Sequence, residues 1–263
     1  MRRIQYQLLV YYQFERLTTH SRVVHALFTR LGGHSRAPWT GLNTGHSVGD
    51  DPQAVDANHR LICRALGFAS EEEFVSPHQV HGRRVAVVNG THKGKVIEAT
   101  DALITQTPGV PLLLRFADCT PIMLYDPHRG VVGLAHAGWR GTVQKTAQAA
   151  AQAMIDLLGC RAQDIIAGIG PAIGPCCYEV GQDVVQAVAQ AFPAHSDLLH
   201  PCDDGKHWLF DMWTANRRQL EEIGIEQIEV AAMCTACHTD EWFSHRAERG
   251  QTGRFAAVIA MTP

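Results

Sequence analysis

"LLLRFADCTPIMLYDPHRGVVGLAHAGWRGT", residues 112–142, reads as three strands in direct succession. Residues 112–116, 122–125 and 131–135 are aliphatic or β-branched, and only short turns rich in Asp, Pro and Gly divide them. Strands that follow one another without an intervening helix argue against a doubly wound parallel sheet and for an α+β fold. The ends of these strands are chemically unusual. The second is preceded by Asp118 and Cys119, and the third runs into His136 before turning through glycines around Trp139 and Arg140. Side chains at such junctions project into clefts instead of packing in a core.

Outward from this stretch the pattern continues. Residues 23–29 and 84–88 read as further strands, and residues 52–66 as a helix with Gly67 just past its end. After Gly141 the apolar spacing becomes helical, through Val143, Ala147, Ala150, Ala151, Met154 and Leu158, with Gly159 as a C-cap. Residues 165–169 form a buried strand and residues 180–192 a second helix in this half. Asp211 caps a third helix that runs to about Glu222, and residues 228–233 and 255–260 close the chain as strands. No repeat, low-complexity tract or linker-like break interrupts the pattern. We therefore expect one α+β domain over residues 1–263, a length near the upper limit for a single core.

Hydrophobic residues make up 46% and charged residues 19%, which excludes wholesale disorder. The formal net charge is −3, and the Arg83/Arg84 and Arg217/Arg218 pairs are isolated, so nucleic acid is not an expected partner. A small anion held by one or two arginines is compatible with this pattern. The N-terminal MRRIQYQLLVYYQFERL has an apolar run only from Leu8 to Tyr12 and reads as a first strand, not a signal peptide. No stretch approaches the roughly 20 apolar residues that span a bilayer. The expectation is a cytoplasmic protein, without a membrane partner, whose 8 cysteines are thiols or metal ligands.

Three short motifs suggest chemistry that their surroundings do not support. GHSVG, residues 45–49, matches the serine-hydrolase elbow, but a turn-rich loop precedes Ser47 where a strand is required. CTACH, residues 234–238, has the spacing of c-type haem attachment, yet no export signal accompanies it, and no second cysteine pair stands at zinc-finger spacing. GIGPAIGPCC, residues 168–177, lacks the third glycine of a dinucleotide fingerprint, and its prolines remove amide donors. It reads as a rigid turn.

Three residues remain. His81 in SPHQVHGRRVAVV, Cys119 and His136 each lie where a core strand meets an irregular turn. Two histidines and a cysteine suit zinc, and three protein ligands leave a fourth position open, as in a catalytic site. Their long separations carry no motif information of their own.

The ordered set HQVHG, DALITQTPGVPLLLRFADCTPIMLYD, GLAHAGWRGT, IGPAIGPCCYEVG and CTACHTDEWFSHRAERGQTGRFA resembles a bacterial and animal family. That family was first named multicopper polyphenol oxidase or laccase domain, and its members are described as purine nucleoside phosphorylases with adenosine deaminase side activity. The resemblance runs from FTRLGGHS to the C-terminus. It implies a mixed α/β fold with layered sheets and flanking helices, similar to that of cysteine hydrolases such as toxin deamidases. It also implies that His81, Cys119 and His136 are at once the metal ligands and the catalytic residues, holding zinc, with copper as the alternative metal. The substrates would be adenosine, inosine and methylthioadenosine, with phosphate as the co-substrate. Independently of the resemblance, a monomer is the expected state. Phosphate needs an anion site, for which Arg140 and Arg30 are candidates. Asp118, beside the cysteine, is a candidate substrate contact, proton shuttle or partner to a ligand, with a plain strand-end cap as the alternative. Ser244-His245-Arg246-Ala247 departs from the Ser-Tyr-Arg-Arg of other members. The laccase name fits poorly, because the 15 histidines are scattered with no H-x-H pair. Two rivals stand beside the phosphorylase reading: a Cys119–His136 amide hydrolase of the kind that edits cell-wall precursors, and a binding protein with a vestigial pocket.

Overall fold

The strand at Leu112–Phe116 joins one sheet and its successor at Thr120–Asp126 joins another, so the turn at Asp118 and Cys119 crosses between two layers. The computed structural model describes residues 1–262. Its five-stranded sheet is antiparallel, in the order Arg2–Tyr6, Leu9–Gln13, Val23–Phe28, Phe255–Met261, Leu112–Phe116. The six-stranded sheet is mixed, in the order Gln227–Val230, Ile166–Ile169, Thr120–Asp126, Val131–Ala137, Ala102–Thr105, Val85–Val87. Its two outer pairings are parallel and the rest antiparallel.

Side-chain alternation assembles the layers. Leu112, Leu114 and Phe116 point one way and meet Met123, Tyr125, Val132 and Leu134 of the other sheet, all buried. Leu113, one residue out of phase, packs with Ile62 and Cys63 from the helix Pro52–Leu66 on the outer face. On the opposite outer face Ile122, Leu124 and Ala135 take Ala147, Ala150, Ala151 and Met154 of the helix Thr146–Leu158, and Leu220 of Met212–Glu221. The result is helix, sheet, sheet, helix: the mixed α/β arrangement of layered sheets with flanking helices. A fourth apolar cluster forms a side lobe from the helix Gln182–Ala191 and a three-stranded sheet of Glu179–Val180, Trp208–Phe210 and Leu199–Pro201.

The helix at Pro52–Leu66 has the expected bounds, with Asp51 accepting from the Gln53 amide and Gly67 at φ 77°. Other elements differ for local reasons. The N-terminal stretch is two strands, because the chain reverses at Gln7 (φ 53°). The expected helix at 180–192 begins at Gln182, since Val180 pairs with Trp208. The helix after Gly141 is broken at Lys145 (φ 63°) into Trp139–Val143 and Thr146–Leu158. No helix among the described residues is long and apolar enough to cross a membrane.

Candidate metal and active site

The layer crossing at Asp118 and Cys119, the end of the Val131–Ala137 strand and the turn before Val85–Val87 converge on one point. One donor atom from each of His81, Cys119 and His136 lies within 4.8 Å of the other two. The two imidazole rings are 4.9 Å apart, edge to face at 74°. Gly138 makes the approach feasible: a Cβ there would lie 2.8 Å from Cys119 Sγ and 3.3 Å from His81 Cδ2. That is the physical reason a glycine stands between His136 and Trp139.

Behind the donors lies Asp101, fully buried, which the sequence reading did not single out. One oxygen accepts from His136 Nδ1 at 2.9 Å and from the His81 amide at 3.0 Å. The other accepts from the amides of Val80 (3.1 Å) and Gly82 (2.8 Å). One carboxylate thus shapes the turn carrying His81 and orients His136, leaving Nε2 of His136 as its free donor. The only signal in the sequence was an acid at the head of the apolar run DALIT.

Backbone strain marks the same place. His81 (φ 60°) and Asp118 (φ 78°) both occupy the left-handed region, which costs a non-glycine residue about 1 kcal/mol or more. Asp118 is held there by both of its carboxylate oxygens, one accepting from Thr235 Oγ1 at 2.6 Å and the other from the Arg246 amide at 2.7 Å. Its carboxylate is a brace for the Thr235 and Arg246 segments.

The electrostatics of the pair are reciprocal. Burial pushes the Cys119 thiol up, but His136 and His81 outweigh it and bring the thiol down to about 6. Burial also disfavours the His136 imidazolium, but Cys119 and Asp101 outweigh it and raise that group to about 9. A thiolate beside an imidazolium is thereby favoured at neutral pH.

The cluster opens on a cavity of about 780 Å³, a size suited to a small organic ligand. Arg115, Arg140, Arg246 and Arg254 line it, facing only Asp118 and Glu98 among acids. Arg115 is partly buried with Nε donating to the Thr44 carbonyl at 2.6 Å, and desolvation lowers its guanidinium to about 10. Arg140 is exposed and lies over the Trp139 ring at 4.6 Å, and both residues face the cavity. Arg30, expected at the anion site, is elsewhere. It faces a separate shallow pocket, packs over Phe243 and is consumed by Glu248 and the Thr239 carbonyl, each at 2.9 Å. Arg254 does line the cavity, partly buried, with Nη1 donating to the carbonyls of Thr252 (3.2 Å) and Gly253 (2.8 Å).

The family model described as multi-copper polyphenol oxidoreductase laccase matches residues 24–262. The chain belongs to that family. It is 40% identical over 249 residues to a protein of Geobacillus stearothermophilus named purine nucleoside phosphorylase YlmD, covering 90% of this chain and 89% of that one. A protein of Deinococcus radiodurans named purine nucleoside phosphorylase is 41% identical over 239 residues, covering 91% and 89%. The crystal structure of YlmD from Geobacillus stearothermophilus superimposes with a TM-score of 0.92 at 35% identity, covering 99% of this chain and 98% of that one. A Bacillus licheniformis hypothetical protein, YfiH, superimposes at 0.90 with 32% identity, covering 97% and 96%.

Against this family background the remaining motifs acquire positions. His245 and Arg246 line the cavity, whereas Ala247 only closes a turn through its amide to Ser244 Oγ. Ser47 lies on the cavity wall, in the short helix His46–Val48, with no strand leading into it and no histidine hydrogen-bonded to it. Of the stretch 168–177 expected as a turn, the first two residues end the strand Ile166–Ile169, and the rest contributes Ile173 to the wall. Its Cys176 and Cys177 meet Cys234 and Cys237 of CTACH, all four sulfurs within 4.8 Å of one another. No second cysteine pair stands at zinc-finger spacing from CTACH in the chain; the tertiary structure brings one to it from a distant turn.

Proposed function

We propose that this chain is a zinc-dependent purine nucleoside phosphorylase acting on adenosine, inosine and methylthioadenosine, with adenosine deaminase as a side activity. The carrying observation is a three-donor cluster, backed by a buried carboxylate, on the floor of a nucleoside-sized cavity rich in arginine. The names of two relatives about 40% identical over most of the chain support the same reading.

His81, Cys119 and His136 fit a zinc ion by donor chemistry: nitrogen, nitrogen and thiolate sulfur, with Nδ1 of His136 fixed by a carboxylate as metal-bound imidazoles require. An ion held there would supply a Lewis acid to polarise a phosphate, nucleoside or water oxygen. The chain's own residues do the rest. Arg254 and Arg140 hold phosphate by charge-assisted contacts. Trp139 and Tyr178, each with a guanidinium over its ring, line the wall beside the nucleoside. Hydrogen phosphate then attacks C1′ of the ribose as the bond to the purine nitrogen breaks, and the proton that the phosphate gives up passes through solvent to the departing base, leaving ribose 1-phosphate and free base. Partial burial of Arg254 strengthens its interaction with the incoming anion.

The measurement is ribose 1-phosphate release from inosine and phosphate by the zinc-loaded protein. Absence of product from inosine, adenosine and methylthioadenosine alike overturns the reading. One observation favours a second: Cys119, His136 and Asp101 also form the nucleophile, base and orienting acid of a cysteine amide hydrolase. Amidase activity in chelator-treated protein would decide for it. Polyphenol oxidation suits the donors least. Among the described residues the two metal-competent groups are the His₂Cys set and an all-cysteine set, and neither provides the histidine-rich cluster that a multicopper oxidase adds to its first copper.

A further inference from the structure

Cys176 and Cys177 stand in a turn closed by the Cys177 amide donating to the Gly174 carbonyl at 3.0 Å. Cys234 and Cys237 stand in another, closed by the His238 amide donating to the Cys234 carbonyl at 3.2 Å. The two turns are tied edge to edge: Ala172 donates to Met233, and Thr235 donates back to Ala172. The close approach depends on Gly174, where a Cβ would lie 2.6 Å from the Trp213 ring and 3.2 Å from Cys234 Cβ. The Gly174 amide points at Cys234 Sγ, 3.2 Å away. Cys237 Sγ is 3.5 Å from Cys176 Sγ and 3.4 Å from Cys177 Sγ.

These spacings decide between two uses of thiols. A disulfide needs sulfurs about 2 Å apart. Sulfurs held about 2.3 Å from a tetrahedral zinc lie about 3.8 Å from one another. The 3.4 and 3.5 Å separations are far too long for a disulfide and a few tenths of an ångström short of a tetrahedral edge, and all four sulfurs lie within 4.8 Å of one another. The ligand count also matches: four thiolates with no fifth candidate make a closed, structural set. All-sulfur coordination selects zinc over magnesium, calcium or manganese. Cys176 and Cys237 are exposed, so an ion can enter from solvent.

We propose that Cys176, Cys177, Cys234 and Cys237 form a second metal centre, a structural tetrathiolate zinc site that fastens two turns at the wall of the cavity. Its position gives it a task. Ile173 and Tyr178, on either side of the first pair, line the cavity. Thr235, inside the second pair, donates to Asp118, the residue before Cys119. Zinc binding releases the thiol protons and locks both turns, so the geometry around Asp118 is set partly from outside the active site.

The test counts zinc by mass spectrometry in protein purified without chelator. Wild type should hold two zinc ions per chain, Cys119→Ala one and Cys176→Ser/Cys177→Ser one. If the Cys176→Ser/Cys177→Ser protein holds as much zinc as wild type, the proposal is overturned. If instead Cys119→Ala keeps both ions, the active-site assignment fails and this one stands. A second readout needs no change to the four cysteines. Cys119→Ala protein loaded with Co²⁺ should show the intense visible bands and near-ultraviolet sulfur-to-metal charge transfer of a tetrathiolate, and their absence refutes the site. Thiol titration of denatured, chelated wild type should find all 8 cysteines. Loss of a pair of thiols to a disulfide among these four, without zinc, also refutes it.

Discussion

Cys119 sits between two imidazoles with a buried carboxylate behind them, whereas Cys234 sits among three other thiols and meets one backbone amide. Both lie in turns beyond strand ends, Cys119 lining the cavity and Cys234 behind its wall. The first cluster has three donors from three separate segments, residues in strained backbone at His81 and Asp118, and an open side facing four arginines. The second has four donors in two tight turns; none of the four has positive φ, although Ala232, two residues before Cys234, does (φ 50°). Three donors with an open face build a place for chemistry; four donors that close the coordination set build a fastening. The comparison also separates charge from burial. His136 and His25 are both buried, yet the first is raised to about 9 by Cys119 and Asp101, and the second lowered to about 4 chiefly by burial.

Breaking the first cluster should have the largest effect. His81→Ala, Cys119→Ala and His136→Ala should each remove the active-site zinc and lower turnover by more than about a hundredfold with the circular dichroism spectrum unchanged, since losing a primary ligand should exceed the roughly 10–100-fold cost of losing a partner to one. Retained turnover in zinc-free Cys119→Ala would dissolve the distinction between the clusters.

Acid should act on the buried neutral histidines. His25 accepts from the Phe14 amide at 2.8 Å and stays uncharged when folded. Its folded pKa is depressed, so the stability it allows is fully present above the unfolded value of 6.5 and is lost as pH falls toward about 4. The loss is about 3 kcal/mol at the acid end. Denaturant unfolding at pH 7 and pH 4.5 checks this, and a His25→Gln protein should show a shallower decline.

Asp101→Asn comes next. It keeps the side-chain size but weakens its contacts to the three amides and to His136, so metal affinity should fall by about ten- to a hundredfold. A competitive chelator titration measures it. An affinity equal to wild type would reduce Asp101 to a fold residue.

Arg140→Lys should slow ribose 1-phosphate release from inosine by about tenfold, because a point charge cannot replace the guanidinium fork, and should spare ammonia release from adenosine. Equal losses in both rates would assign Arg140 to bracing Trp139. The smallest effect belongs to Ser47→Ala: turnover within about twofold of wild type, since the side chain faces the cavity without a base.

The strand succession in residues 112–142 and the helix at Pro52–Leu66 were legible from periodicity and capping alone, because each is set by neighbours a few residues away. His81, Cys119 and His136 could be singled out because each is a metal-competent residue at a strand end, an arrangement local sequence can show. What brings them together is non-local. Asp101 looked like an ordinary turn acid, and its role exists only because the His81 turn and the His136 strand fold onto it. Arg30 and Arg254 are alike as letters, and only packing pairs one with Glu248 and aims the other at the cavity. The two cysteine motifs were each weak alone, because a tetrahedral ligand set is defined by distances between sulfurs, and the spacing between residues 177 and 234 says nothing about whether two turns will meet.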